Sequence, residues 1–279
     1  MLAEIGHGGS SRVYRILGPD LKVYALKKIK LKRLDKQTVA QYENEISVLR
    51  SLQGNPHIIR LIGFSGDKQK KAIHLVMEHG EIDLNHKLHE LRKESLLDMN
   101  FIRLIWQQML RAVQTIHEAR IVHGDLKPAN FLFVNGALKL IDFGIAKIIA
   151  NDTTNIEREG QVGTINFMSP EAIVGNNAPG TGLKAPKRMK VSRASDIWSL
   201  GCILYQMVYG KPPFADVGNL IQKLHSITDP TCEIQYPPIP EHPFVLSTIK
   251  SCLQRDPSKR ATSEDLLNNS FLKPPVITE

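Results

Sequence analysis

Apolar residues recur at different spacings in the two halves of this chain, and the change of spacing divides it into two units. From Leu2 to about Met77 the short runs AEIG, RVYRIL, VYALKKI, IIRLIGF and AIHLVM, rich in β-branched and aromatic residues, are broken by Gly, Pro and charged turns. These are strand signals. Between the third and fourth runs, Val39, Tyr42, Ile46, Leu49 and Leu52 fall on one helical stripe. The first unit is therefore expected to be a small, mostly antiparallel sheet with one helix.

After HGEID the spacing turns helical, so a second, mainly α unit is expected to begin near Asp83. Phe101, Leu104, Ile105, Met109, Ala112, Val113 and Ile116 line one face of a helix over Asn100–Arg120. The segment Asp196–Tyr209, DIWSLGCILYQMVY, is apolar on almost every face, and Gly210 with Pro212 ends it. A helix of that kind is buried on all sides, so it is expected to be the central pillar of the larger unit. Gly175–Arg193 is rich in Gly, Pro, Asn and Lys, carries Lys184, Lys187, Arg188, Lys190 and Arg193, and has no acid. It reads as a mobile surface insertion whose charges are solvated.

The bulk composition narrows the class. With 279 residues, 42% hydrophobic and 23% charged, the chain is of ordinary globular make-up, which excludes collagen-like and low-complexity polymers. No stretch approaches the ~20 apolar residues of a membrane span, and MLAEIGHGG has no basic start followed by an apolar run, so no membrane partner is expected. The 3 cysteines, Cys202, Cys232 and Cys252, are spaced too widely for a zinc knuckle or redox pair and fit a reducing compartment. The net charge of +8 leaves nucleic acid, anionic surfaces and phosphate-rich substrates open. Aromatics at only 6%, mostly within core patterns, make nucleic acid the weaker reading.

Gly6, Gly8 and Gly9 lie in IGHGGSSRVY, between two strand-like runs. A hairpin turn needing positive φ accounts for them, and so does a flap whose bare backbone N–H groups approach phosphate oxygens. Further on, YALK places Ala25 and Lys27 on the same side of a strand. An inward lysine needs an anion or loses its charge, although Lys28 and Lys30 show that this strand carries charge at its edge as well. Glu45 falls within the stripe of the following helix, between Leu49 and Leu52, and supplies a candidate partner.

The densest chemistry is IVHGDLKPANFLFVNGALKLIDFG at 121–144. Asp125 and Asn130 flank a proline on a structured loop, and Asp142 follows a β-like LKLI run. Asp and Asn oxygens suit Mg²⁺, which is held by a few protein oxygens and by substrate phosphates. Each residue also has a bland use as a cap or turn former.

In this order the motifs identify a resemblance to eukaryotic protein kinases: the glycine loop, Lys27 in YALK, Glu45, HGDLKPAN, DFG at 142–144, SPE at 169–171, Asp196 in DIWSLG and Arg260 in RDPSKR. The match runs from about Leu2 to Leu272. The resemblance implies a bilobal α+β fold: an N-terminal lobe at 1–78, a hinge at 79–82 and a C-terminal lobe at 83–279, with an activation segment at 142–171. It implies ATP and Mg²⁺ as cofactors and proteins as substrates. Asp125 would orient the substrate hydroxyl, Lys127 would lie near the transferred phosphate, Asn130 and Asp142 would hold Mg²⁺, and Lys27 would hold the α/β-phosphates. Ile5, Val13, Ala25, Leu132 and Ile141 would sandwich adenine, with Met77 behind it and the backbone of Glu78, His79 and Gly80 hydrogen-bonding it. Glu171 and Arg260 would form a buried pair tying the activation segment to its lobe.

Lys127 after Asp125, with Gly163 and Thr164 before SPE, is similar to the Ser/Thr rather than the Tyr branch. NDTTN, QVGTINFMSPEAI and KLHSITDP resemble the monopolar-spindle (TTK-like) dual-specificity kinases. That resemblance implies a spindle-checkpoint role, kinetochore partners, and a nuclear and cytoplasmic protein that reaches kinetochores in mitosis. A monomeric catalytic domain with transient dimers for self-phosphorylation at Thr153, Thr154 and Thr164 is expected. Two departures stand out: Ser11 replaces the third loop glycine, and Gly124 replaces the arginine that most members have before the catalytic Asp. A pseudokinase scaffold that keeps the fold without transfer, or a Ser/Thr kinase of another pathway, is the alternative reading.

Overall fold

A computed structural model of the chain describes residues 1–7, 11–30, 43, 46–67, 72–95, 97–143, 165–177 and 192–275. The upper lobe is a five-stranded antiparallel sheet of β1 (Ala3–His7), β2 (Ser11–Leu17), β3 (Val23–Lys30), β4 (Leu61–Asp67) and β5 (Ala72–Glu78), in the order β1-β2-β3-β5-β4. Alternation decides which face is covered. Ala25, Lys27 and Ile29 of β3 lie opposite Met77, Leu75 and Ile73 of β5, and Ile29 and Leu75 are fully buried there. A helix whose described part is 46–51 (α1) covers this face with Ile46 and Leu49, while Leu52 follows in its turn.

Ile58 and Ile59 stop short of the strand that their sequence run implied. Ile58 bridges Leu140 in parallel, the Ile59 N–H donates to the Leu140 carbonyl at 3.1 Å, and the Leu140 N–H donates to the His57 carbonyl at 2.8 Å. Their backbone groups are spent on joining the upper lobe to the lower one, so β4 begins only at Leu61.

The lower lobe opens with a three-stranded sheet of β6 (Ile82–Asp83), β7 (Phe131–Val134) and β8 (Ala137–Leu140). The β7–β8 turn is Asn135-Gly136 at φ 50° and 79°. Positive φ at both positions is what a tight hairpin turn requires. The helices are α2 (Leu84–Lys93), α3 (Met99–Glu118), α4 (Pro170–Asn177), α5 (Arg193–Tyr209), α6 (Leu220–Thr228), α7 (Pro243–Cys252) and α8 (Ser263–Leu267). Among the described residues no helix is long and apolar enough to cross a membrane.

The pillar helix α5 begins three residues before the predicted Asp196, because Ser192 and Ser195 form a reciprocal capping box ahead of it. It ends at Gly210, left-handed at φ 95°, and Arg92 donates to its last carbonyls on Gln206 and Met207 at 2.7 and 2.6 Å. Side chains from Ser195 to Tyr205 are buried without a break. The two ends of the expected 175–193 insertion are helical, since 175–177 close α4 and Arg193 opens α5. Apart from the cap residue Ser192, its remainder, 178–191, lies outside the described residues.

Arg260 holds this lobe together. All its N–H donors are used: Nε on Gln254 O at 2.6 Å, Nη1 on Glu171 Oε1 at 2.7 Å and Ala194 O at 2.9 Å, and Nη2 on Glu171 Oε2 at 2.7 Å and Arg255 O at 3.1 Å. The guanidinium also stacks on Trp198, 5.1 Å from its ring centre. Burial works to raise the Glu171 carboxyl, but the hydrogen bonds and charge of Arg260 outweigh it and hold the group below its usual range. A carboxyl depressed in the fold stabilises it above the unfolded pKa of ~4.3, and that contribution disappears as pH falls through the folded value. Arg260→Ala strands a buried carboxylate and is expected to cost about 3–5 kcal/mol in urea unfolding. In Glu171→Gln, stability measured on the acid side of pH 4–5 should fall less steeply than in the parent, and an unchanged slope would contradict the assignment.

Candidate active site

Period-two alternation turns Lys27 to the covered face of β3, directly opposite Val13 on β2 and Leu75 on β5. Its Nζ lies 3.5 Å from Asp142 Oδ1, and the lysine side chain is only 15% exposed. Ala25, opposite Met77, is buried beside it. Leu132 and Ile141 of the lower lobe are partly buried. Ile5 is the extra residue of a bulge, between Glu4 opposite Tyr14 and Gly6 opposite Val13, and stays half-exposed at the sheet edge.

Past β5 the chain crosses between the lobes in tight contact with β7. The Glu81 N–H donates to Phe133 O at 2.9 Å, and a Cβ placed on Gly80 would come within 2.4 Å of Leu132 Cδ2 and 2.6 Å of Phe133 O. Only a residue without a side chain fits there. Glu78 Oε1 accepts from Lys139 Nζ at 2.6 Å and from the Arg60 N–H at 2.7 Å, and the Glu78 N–H donates to Arg60 O at 3.0 Å.

The loop at 121–130 is shaped by Asp196 in the first turn of α5. This carboxylate has no solvent exposure; it accepts the N–H groups of His123 at 2.9 Å and Gly124 at 2.8 Å, and lies 2.9 Å from His117 Nε2. Gly124 is bent to φ 73° in consequence. His123 Nδ1 accepts the Asp125 N–H at 3.2 Å, which leaves the ring proton on Nε2. Burial pushes this imidazole down, against the charges of Asp196, Asp125 and Asp142. Asp125 Oδ2 and Lys127 Nζ are 3.6 Å apart.

Pro128 starts a single 3-10 turn, Pro128–Asn130, in which the Asn130 N–H donates to Lys127 O at 2.9 Å. The Asn130 carbonyl in turn accepts the Ile141 N–H at 2.8 Å, placing Asn130 beside Asp142. Its buried Oδ1 has no hydrogen-bond partner among the described residues. Asp142 adopts φ 63°, a left-handed conformation that is uncommon outside glycine and marks a held position. The Lys27 charge holds its carboxyl below the ordinary range against the opposing effect of burial, with smaller help from His123 and Lys127. Phe143 is buried, its ring 6.2 Å from that of His123.

Two cations, two carboxylates and one amide oxygen thus border a single cleft. An orphaned buried amide oxygen next to an ionised carboxylate is the donor set of a hard divalent cation, so Asn130 and Asp142 fit Mg²⁺. Gly6 lies in β1, whereas Gly8, Gly9, Glu45, Thr153, Thr154 and Thr164 lie outside the described residues. Sequence reasoning noted Asp196 only as a motif member and gave His117 and His123 no part. Their one visible signal is a histidine two residues before Asp125 and another at the end of the α3 stripe.

The sequence matches the family model described as Protein kinase domain over residues 1–272. It is 51% identical over 271 residues to the Dictyostelium discoideum protein named "Probable serine/threonine-protein kinase mps1", covering 96% of this chain and 27% of that protein. It is 46% identical over 292 residues to the serine/threonine-protein kinase mph1 of Schizosaccharomyces pombe, 98% of this chain and 42% of that one. With the dual specificity protein kinase Ttk of Danio rerio the identity is 45% over 273 residues, 96% of this chain and 26% of the other. The chain thus spans less than half the length of each of these three relatives.

Lys27→Met is expected to raise the Asp142 titration midpoint followed by carboxyl ¹³C shifts, because its main stabilising charge is gone; an unmoved midpoint would refute the contact. Gly124→Ala forces a side chain into left-handed backbone and should cost about 1–2 kcal/mol of stability in denaturant unfolding.

Proposed function

The chain belongs to the protein kinase family, and from that premise we propose that it transfers the γ-phosphate of ATP to serine and threonine hydroxyls of proteins, with tyrosine as a lesser acceptor. One observation carries the reading. Lys27 from the upper lobe meets Asp142 from the lower at 3.5 Å, while the buried Asn130 Oδ1 remains unpaired among the described residues.

In this reading Ile5, Val13, Ala25, Leu132 and Ile141 enclose adenine in front of Met77, and the backbone at 78–80 sets its register. Gly6, Gly8 and Gly9 cover the phosphates, Lys27 clamps the α- and β-phosphates, and Glu45 steadies that lysine. Asn130 and Asp142 hold Mg²⁺, which supplies neutralisation of the triphosphate charge. Asp125 aligns the acceptor hydroxyl with the γ-phosphorus and receives its proton. The hydroxyl oxygen forms the new P–O bond as the bond to the β–γ bridging oxygen breaks, ADP leaves, and Lys127 balances charge on the moving group. Catalysis is positioning and electrostatics, with no covalent enzyme intermediate.

The likeness to monopolar-spindle kinases supports a role in the spindle assembly checkpoint, with kinetochore proteins among the partners and a nuclear and cytoplasmic protein that reaches kinetochores in mitosis. Gly124 removes the cation that usually receives an activation-loop phosphate, so control by Thr153, Thr154 and Thr164 runs through other cations, Lys147 or Arg158.

Labelled ATP offered with Mg²⁺ and a Ser/Thr/Tyr peptide library should give transfer mainly to Ser and Thr. In Lys27→Met and Asp142→Ala the rate should fall about 100-fold or more. ATP binding without transfer in the parent would leave a scaffold in place of an enzyme. Mass spectrometry of protein made with and without Asp125→Ala tests self-modification: loop phosphate that survives in the variant comes from another kinase.

A further inference from the structure

Away from the cleft, the end of α6 gathers three different metal-binding side chains. His225 lies in the last turn of α6, Asp229 caps it by donating its N–H to His225 O at 2.8 Å, and Cys232 follows, its N–H on Asp229 O at 3.2 Å. His225 Nε2 and Asp229 Oδ2 are 3.2 Å apart, and one ligand atom from each of the three residues lies within 4.8 Å of the others. From this geometry we propose that His225, Asp229 and Cys232 bind one zinc-like transition-metal ion, with a fourth position open to solvent.

The donor set selects the metal. One imidazole nitrogen, one carboxylate oxygen and one sulfur suit a borderline ion such as Zn²⁺ and give a hard ion such as Mg²⁺ little. Bonds of ~2.0–2.3 Å in a tetrahedron separate ligand atoms by about 3.3–3.8 Å. The His225–Asp229 pair, at 3.2 Å, stands close to the lower end of that range, and the Cys232 sulfur lies within 4.8 Å of a ligand atom of each.

The surroundings hold the ligands in place. Asp229 Oδ1 accepts both the Thr231 N–H and the Thr231 hydroxyl at 2.8 Å, which turns Oδ2 towards His225. Such outer contacts orient a metal-binding carboxylate. The nearby Arg255 cation is spent on the carbonyls of Ile227 at 3.2 Å, Ser226 at 3.0 Å and Cys232, and so fixes the helix end and the cysteine in one frame. The other thiols, Cys202 and Cys252, are buried in the core. Lys223 of the same helix donates to Asn166 Oδ1 at 2.8 Å, within the 142–171 segment. A metal at the far end of α6 would therefore stiffen the helix that braces Asn166.

The inference does not depend on phosphate transfer, and its test reads sulfur ligation, which the cleft cannot supply. Co²⁺ titrated into the whole chain should give a thiolate-to-metal absorption band that saturates at one equivalent and is displaced by Zn²⁺. Cys232→Ser should abolish the band, and His225→Ala should weaken binding about 10-fold or more. Zn²⁺ should raise the thermal midpoint of the parent and leave that of Cys232→Ser unchanged, while the two midpoints agree without metal. No thiolate band, an undiminished band in Cys232→Ser, or displacement by a modest excess of Mg²⁺ would overturn the proposal.

Discussion

Asp196 is a carboxylate with no solvent around it, and the lower lobe is arranged to satisfy it. Taking a carboxylate out of water costs on the order of several kcal/mol unless donors replace the lost solvent. Here the donors are two consecutive backbone N–H groups, those of His123 and Gly124, with the His117 ring close by. Because α5 is packed on every side, the carboxylate cannot move to meet the loop, so the loop must come to it. The price of that arrangement is left-handed backbone at residue 124, where glycine adopts it without strain. The same turn fixes the direction in which Asp125 and Lys127 leave it.

From there the constraint passes along one short stretch, 139–143, in which each residue joins elements that are distant in sequence. Lys139 pairs with Glu78 at 2.6 Å, Leu140 bonds to His57 and Ile59, Ile141 donates to Asn130, Asp142 meets Lys27, and Phe143 lies against His123. Hydrogen bonds and charges on this strand and its extension therefore set the spacing of the lobes as well as the cleft. The held conformation at Asp142 belongs with this: strained backbone persists where its neighbours over-determine it.

Much of this was legible in the residues. Alternation placed Lys27 on the covered face, the all-round apolar pattern identified α5 as the pillar, and the order of Asp125, Asn130 and Asp142 marked the cleft. What stayed hidden depends on tertiary partners. Nothing local says that Ile58 and Ile59 will bond to β8 instead of extending β4, that Glu78 will face Lys139, or that Gly80 is required because Leu132 fills its side-chain space. The part played by Asp196 was hidden for the same reason, since its partners precede it by 72 to 79 residues.

The bond between Glu171 and Arg260 also has a consequence in time. The partners are 89 residues apart, and a ribosome adding ~5–20 residues per second takes roughly 4–18 s to pass from one to the other. Throughout that interval the nascent lower lobe holds an acid whose guanidinium partner has not been made. The upper sheet, complete by residue 78, is free to fold long before. The upper sheet can thus form first, while the Glu171 contact of the lower lobe waits for Arg260 to emerge.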